Sequence, residues 1–273
     1  MKTFISALLI IISLQAIRAQ SPIDYIFSQE LYDLDMSRIK LKSTISDTLK
    51  PIGRIVSLFI HIADYAPEIF TDISKSINDL NIYFAPAGLS FSLCGFDSIN
   101  NPNYFAVTNG GSEHEILIKH YKPEIINIYV VNQLQLEGND VCGYAPLISS
   151  DKTKDYIFVK KSCLQGLTLV HEMGHLLGLL HPHEDKLYGK EYVQRTNCYI
   201  SGDLLCDTPA EPDLSGKVTD CSYTGTEKDE MGNFYIPSVA NIMSSSPDEC
   251  RCRFTYEQYT RITRLFYLKS YLR

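Results

Sequence analysis

The stretch TLVHEMGHLLGLLHPHED, Thr168 to Asp185, holds four of the chain's seven histidines. His171 and His175 stand four apart, with Glu172 following the first. Residues four apart on a helix share a face, their Cβ atoms ~5–6 Å apart. That lets two imidazoles reach one Zn²⁺ at Zn–N distances of about 2.0–2.1 Å. Glu172 then projects beside the ion without having to ligate it, placed to take a proton from water at the metal and return it to a leaving amine. Aspartate would be a methylene shorter and would reach less well.

A catalytic zinc takes three protein ligands and keeps a fourth position open. If the helix ran on, His181 would lie six residues past His175. At 1.5 Å per residue that is ~9 Å further along the axis, too far to share the ion. The helix must therefore stop between them. Gly178 is suited to stopping it, because glycine tolerates the left-handed conformation in which many helices end. A chain turning there swings His181 back towards the metal. Each further required residue cuts chance matches by roughly a factor of ten at average composition, so Gly178 and His181 make specific a pattern that His-Glu-x-x-His alone leaves weak.

The other histidines read differently. His183 lies outside the spacing just derived and is expected at the surface or behind the ligands. His61 sits inside an apolar strand and reads as a satisfied core histidine. His114 and His120 are six apart in a polar stretch and carry no ligand signal.

The elements that must position the site are legible in outline. IVSLFIHI, Ile55 to Ile62, is almost continuously apolar and β-branched, as a strand buried on both faces would be. Ile69, Ile73, Ile77 and Leu80 then recur at helical spacing, and Pro86 and Gly88 end that helix. LSFSL (Leu89 to Leu93), IINIYVV (Ile125 to Val131) and YIFV (Tyr156 to Val159) read as further strands, followed by the histidine helix from about Leu167. Residues 182 to 250 hold most of the cysteines, few apolar runs and many Asp, Gly, Ser and Pro, so that stretch is expected to be irregular. The closing segment from Phe254 returns to helix, with Thr255 and Gln258 in capping-box positions.

The chain's 273 residues, 45% hydrophobic and 21% charged, can bury a proper core. Residues 1 to 19 have the layout of a secretory signal peptide: Lys2, an apolar run from Ile5 to Leu14 too short for the ~20 residues a bilayer needs, and Ala19 as a small residue for cleavage. Its removal would take away Lys2 and Arg18 and no acid, moving the net charge from −7 to −9. An acidic surface argues against nucleic acid as a partner, and no later stretch is apolar enough to enter a membrane. Residues 20 to 50 read as a lead-in or short pro-segment, and an exported chain with eight cysteines and no C-x-x-C pair reads as carrying disulfides, up to four. Oligomeric state is not legible.

HEMGHLLGLLH resembles the zinc motif of the metzincin metallopeptidases, His-Glu-x-x-His-x-x-Gly-x-x-His. Within that clan, CGYAP at Cys142, NCYISGDLLCDTPAEPDL at Asn197 and NIMSSSPDECRCRFTYEQYTRI at Asn241 are similar to the pappalysin family, its cytophagalysin branch in particular. The resemblance runs from about Ile55 to the C-terminus. It implies an α+β catalytic domain over 51–273 in two parts with a cleft between them: a twisted, mixed, mostly parallel sheet with the zinc helix over 51–181, and an irregular, disulfide-rich part over 182–273 ending in a helix. It assigns His171, His175 and His181 to zinc, Glu172 to acid/base catalysis and Met243 to a Met-turn beneath the metal. It also implies calcium around Asp203 and Asp207, and a bridge from Cys250 to Cys221. Two departures stand out. Many relatives carry a tyrosine two residues after the Met-turn methionine, where this chain has Ser245, and no cysteine precedes Cys94 to block a zymogen.

The function expected from all this is a secreted zinc endopeptidase acting on protein or peptide substrates. A secreted binding protein that keeps the scaffold without turnover is the rival reading, given weight by Ser245. Intact ligands and an intact Glu172 argue against it.

Overall fold

The computed structural model describes residues 49–108 and 111–272. The signal segment, and the 20–50 segment up to residue 48, lie outside the described residues. Strand β1 (Arg54–Ala63) is flanked by β2 (Leu89–Ile99) and β4 (Ile126–Val131), and the main sheet runs in the order β2-β1-β4-β8-β7, with β8 at Tyr156–Lys160 and β7 at Gly143–Tyr144. The first four strands are parallel and β7 is antiparallel to β8, giving a mixed, mostly parallel sheet. A separate small sheet is made of β3 (Ala106–Thr108), β5 (Gln133–Leu136) and β6 (Asn139–Asp140).

Alternation along the strands sorts side chains onto two faces. Leu58, Ile60 and Ile62 of β1, with Ile128, Val130, Ile157 and Val159, join the main core, which also takes in α1 (Ile69–Phe84), Leu169, Val170 and Met173 of α3 (Thr168–Leu176), and Ile262 of α4 (Tyr256–Leu265). Tyr129, Val131, Tyr156 and Phe158 enter a second cluster on the other face with Tyr104 and with Ile116 of α2 (Ser112–His120). Buried on both faces, the inner strands can be continuously apolar, which is why their sequences read so clearly.

Beyond His181 regular structure nearly vanishes. Up to α4 it consists of the two-residue strands β9 (Val218–Thr219) and β10 (Ser222–Tyr223) and one 3₁₀ turn. Three bridges staple the chain, Cys142–Cys163, Cys198–Cys206 and Cys221–Cys250. The four bridges anticipated from eight cysteines become three, because Cys94, on edge strand β2, and Cys252, just ahead of α4, both face solvent and form no bond. Helix α4 starts as its sequence implies: the Thr255 side chain accepts from the Gln258 amide, and the Gln258 side chain accepts from the Thr255 amide. Buried Arg261 on α4 donates to the carbonyls of Asp203 and Leu204, tying the irregular region to the helix. Lys269 and Tyr271 both reach the buried Asp155 carboxylate at the foot of β8, which pins the C-terminal segment to the sheet.

Candidate metal centre

Helix α3 ends as the histidine spacing demands. Leu177 is the cap and Gly178 follows at φ +99°. The Gly178 amide donates to the carbonyl of His175 and the Leu179 amide to that of Gly174, the paired bonds of a Schellman ending. A Cβ at Gly178 would also meet Leu265 at 2.5 Å, so both conformation and space require glycine. The reversal brings His181 back, and the Nε2 atoms of His171, His175 and His181 stand 3.1 Å from one another.

Backbone carbonyls fix the tautomers. His171 Nδ1 lies 2.8 Å from the Ile242 carbonyl and His175 Nδ1 2.8 Å from the Leu179 carbonyl. A carbonyl only accepts, so each Nδ1 carries the proton and each Nε2 offers a lone pair. The same turn that returns His181 thus also orients His175. Burial lowers the pKa of all three imidazoles, His175 to about 4, keeping them neutral and free to ligate. The bare Nε2 lone pairs of His171 and His175 stand 3.1 Å from each other and from His181 Nε2. They fit a cation, since the edge of a tetrahedron with ~2.0–2.1 Å from centre to corner is ~3.3–3.4 Å.

Glu172 is buried beside this triangle, and burial raises its pKa to about 8 while the Arg251 guanidinium opposes the rise. The nearby backbone amide of Ala145 favours its charged form. Gly143 leaves it room: a Cβ there would fall 2.6 Å from Glu172 Cγ and 2.7 Å from Oε1. The CGYAP segment therefore shapes the seat of the carboxylate, a role the sequence did not disclose. Gly143→Ala is expected to displace Glu172 and lower kcat at least tenfold with zinc content unchanged, measured by peptidase kinetics and metal analysis on the same preparation; a kcat within twofold of wild type would remove Gly143 from that role.

Met243 is fully buried under the helix, its sulfur 2.6 Å from where a Cβ on Gly174 would stand. Its turn is held by the Asn241 side chain, which accepts from the Met243 amide. Ser245 accepts from the Leu214 amide at 2.8 Å and donates to Asp213 at 2.6 Å, so this residue fastens the 213–214 segment to the turn. His183 stacks on His181, ring centroids 4.8 Å apart, and faces the buried Glu211 carboxylate at 3.6 Å, beside the three-histidine cluster. Arg251, which sequence reasoning passed over, places Nη1 3.3 Å from His171 Nδ1 and 3.4 Å from the Ile242 carbonyl.

Asp203 and Asp207 each have one bonded and one orphaned carboxylate oxygen. One Asp203 oxygen accepts from the Leu205 amide and the Thr208 hydroxyl, while the other is buried with no partner. Asp207 is likewise half satisfied: Oδ2 accepts from the Glu257 amide in the first turn of α4, while Oδ1 is buried with no partner. Both carboxylate oxygens of Glu191 are also buried and unpartnered. Burial raises Glu191 to about 9, with the charge of Asp203 adding to it, and burial raises Asp203 to about 7. Glu191 had no sequence signal, standing in no acidic run.

No family model matches the chain. It is similar to an extracellular metalloprotease of Arthroderma gypseum, 28% identical over 210 residues that make up 72% of this chain and 66% of that protein. An extracellular metalloprotease of Sordaria macrospora is 27% identical over 216 residues, 72% of this chain and 67% of that protein. The match thus spans about two thirds of the length of these relatives. Metalloproteinase-II from Bacteroides fragilis superposes with a TM-score of 0.38 at 15% identity, over 52% of this chain and 48% of that one. Together the relatives and the three-histidine cluster support a relationship to the metalloproteases, with extracellular relatives and a metal held by histidine.

Proposed function

We propose that the chain is a secreted zinc endopeptidase that hydrolyses peptide bonds in proteins. The observation that carries this is the triangle of His171, His175 and His181 Nε2 atoms with the buried Glu172 carboxylate beside it. Zinc held there would polarise the scissile carbonyl and lower the pKa of water. Glu172 takes the proton of the attacking water and delivers it to the departing amine. The gap at Gly143 gives its carboxylate the room it occupies beside the triangle. Strand β7, the edge of the sheet, runs past Glu172 and suits pairing with an extended peptide, which is what internal cleavage of a chain requires.

The finer family placement, among the pappalysins and their cytophagalysin branch, rests on the motifs around Cys142, Asn197 and Asn241, with Met243 as the Met-turn methionine. Secretion rests on the leader at 1–19 and on the extracellular relatives; among the described residues no helix is long and apolar enough to cross a membrane. The calcium reading rests on the orphaned carboxylate oxygens of Glu191 and Asp203, and on Asp207, whose Oδ1 is also unpartnered while its Oδ2 holds the first turn of α4. Treatment with 1,10-phenanthroline is expected to abolish cleavage of casein, and added zinc to restore it. Undiminished cleavage after the metal has been stripped, verified by metal analysis, would sink the reading.

A further inference from the structure

On the sheet face opposite the zinc helix, three potential ligands meet that play no part in the proposed catalysis. His61 of β1 is fully buried and stands in register with Asp97 of edge strand β2 on one side and Tyr129 of β4 on the other. His61 Nδ1 lies 2.8 Å from Asp97 Oδ1, and one ligand atom each from His61, Asp97 and His120 falls within 4.8 Å of the other two. His120 is the last residue of α2 and is half-buried.

The hydrogen bonds around Asn127 decide what His61 presents to Asp97. The Asn127 amide nitrogen donates to the carbonyls of Lys122 at 2.8 Å and Ile125 at 2.9 Å, and its Oδ1 accepts from the Lys122 amide at 2.8 Å. The Lys122 amide can only donate, so the side chain is oriented without ambiguity. His61 Nε2, 3.0 Å from that same Oδ1, must therefore carry a proton. Neutral His61 then turns the bare lone pair of Nδ1 towards a carboxylate oxygen at 2.8 Å, two acceptors facing each other beside a buried ring. Something positive belongs between them. Burial opposes the imidazolium form of His61, although Asp97 and Asn127 favour it. Tyr129 stacks flat on the ring at 4.4 Å and holds it from turning away.

We propose that His61 Nδ1, the Asp97 carboxylate and an imidazole nitrogen of His120 form a second zinc site, separate from the His171–His175–His181 centre. Two imidazoles and one carboxylate suit a borderline divalent ion such as zinc and not the all-oxygen shells of calcium or magnesium. Binding requires the half-buried His120 side chain to turn towards the other two groups, its ligand atom already lying within 4.8 Å of theirs. The ion ties edge strand β2 to β1 and to the end of α2, and Asp97, 35% exposed, keeps one side open to water.

The test is zinc stoichiometry of the full chain, stripped with chelator, dialysed against zinc with calcium in excess, and read by elemental analysis. Wild type should hold two equivalents, His120→Ala one and His175→Ala one. His120→Ala should keep the peptidase activity that His175→Ala loses, which separates failure of this site from failure of the catalytic reading. In the His175→Ala background, added zinc should still raise the melting temperature, and adding Asp97→Asn should abolish that rise. One equivalent in wild type, two retained by His120→Ala, or no zinc-dependent melting shift in His175→Ala would overturn the proposal and leave a proton shared between His61 and Asp97.

Discussion

Glu172→Gln is expected to keep its zinc and its fold and to lose about 10²–10⁴-fold in kcat, the range general acid–base groups supply. Glutamine has nearly the same shape and fits the space left by Gly143. What it lacks is a carboxylate that takes and returns a proton. The variant has no reason to unfold, because burial already penalises the charged form of Glu172, raising its pKa to about 8. Removing that charge should leave the melting temperature equal or higher. Steady-state kinetics on a peptide substrate, with metal content and melting measured on the same sample, checks all three statements. A kcat within threefold of wild type would exclude Glu172 as the base.

Lys269→Ala should be the most destabilising single change outside the site, at about 3–5 kcal/mol. Lys269 and Asp155 are both completely buried, and each is penalised by burial: Asp155 is pushed up, Lys269 down, and their mutual attraction opposes both shifts. Deleting the lysine leaves Asp155 with the Tyr271 hydroxyl at 2.6 Å as its remaining side-chain partner and an uncompensated charge at the foot of β8. Replacing both members, Asp155→Asn with Lys269→Met, should cost far less, because no buried charge is then stranded. Urea denaturation of the two variants separates these outcomes. A loss below about 1 kcal/mol for Lys269→Ala would mean that water reaches the pair.

How much of this was legible in the sequence depends on how local the cause is. The turn after His175 was readable because one residue carries both requirements, a positive φ and no side chain, and Gly178 is the only glycine between the second and third histidines. The inner strands were readable because they are buried on both faces. Strand β2 was seen only to Leu93 although it runs to Ile99, since its far half is polar and takes its register from β1. Helix α2 was missed because SEHEILIKH buries only Glu113 and Ile116 and has little apolar face to show. His120 looked inert for a different reason: its neighbours His61 and Asp97 are distant in sequence and meet it only in the folded sheet. Glu191 and Arg251 were invisible likewise, for a lone charged residue gives no sign of which cavity it will enter. Cysteine parity suggested a fully bridged chain, and parity cannot see that Cys94 and Cys252 end up facing solvent.

The carbonyls of Ile242 and Leu179 that grip His171 and His175 belong to the folded backbone and not to any ion. These bonds orient the rings independently of the ion they would hold. Such a cradle should exchange its occupant without unfolding, so that cobalt can be swapped in as a coloured reporter of the three-histidine centre.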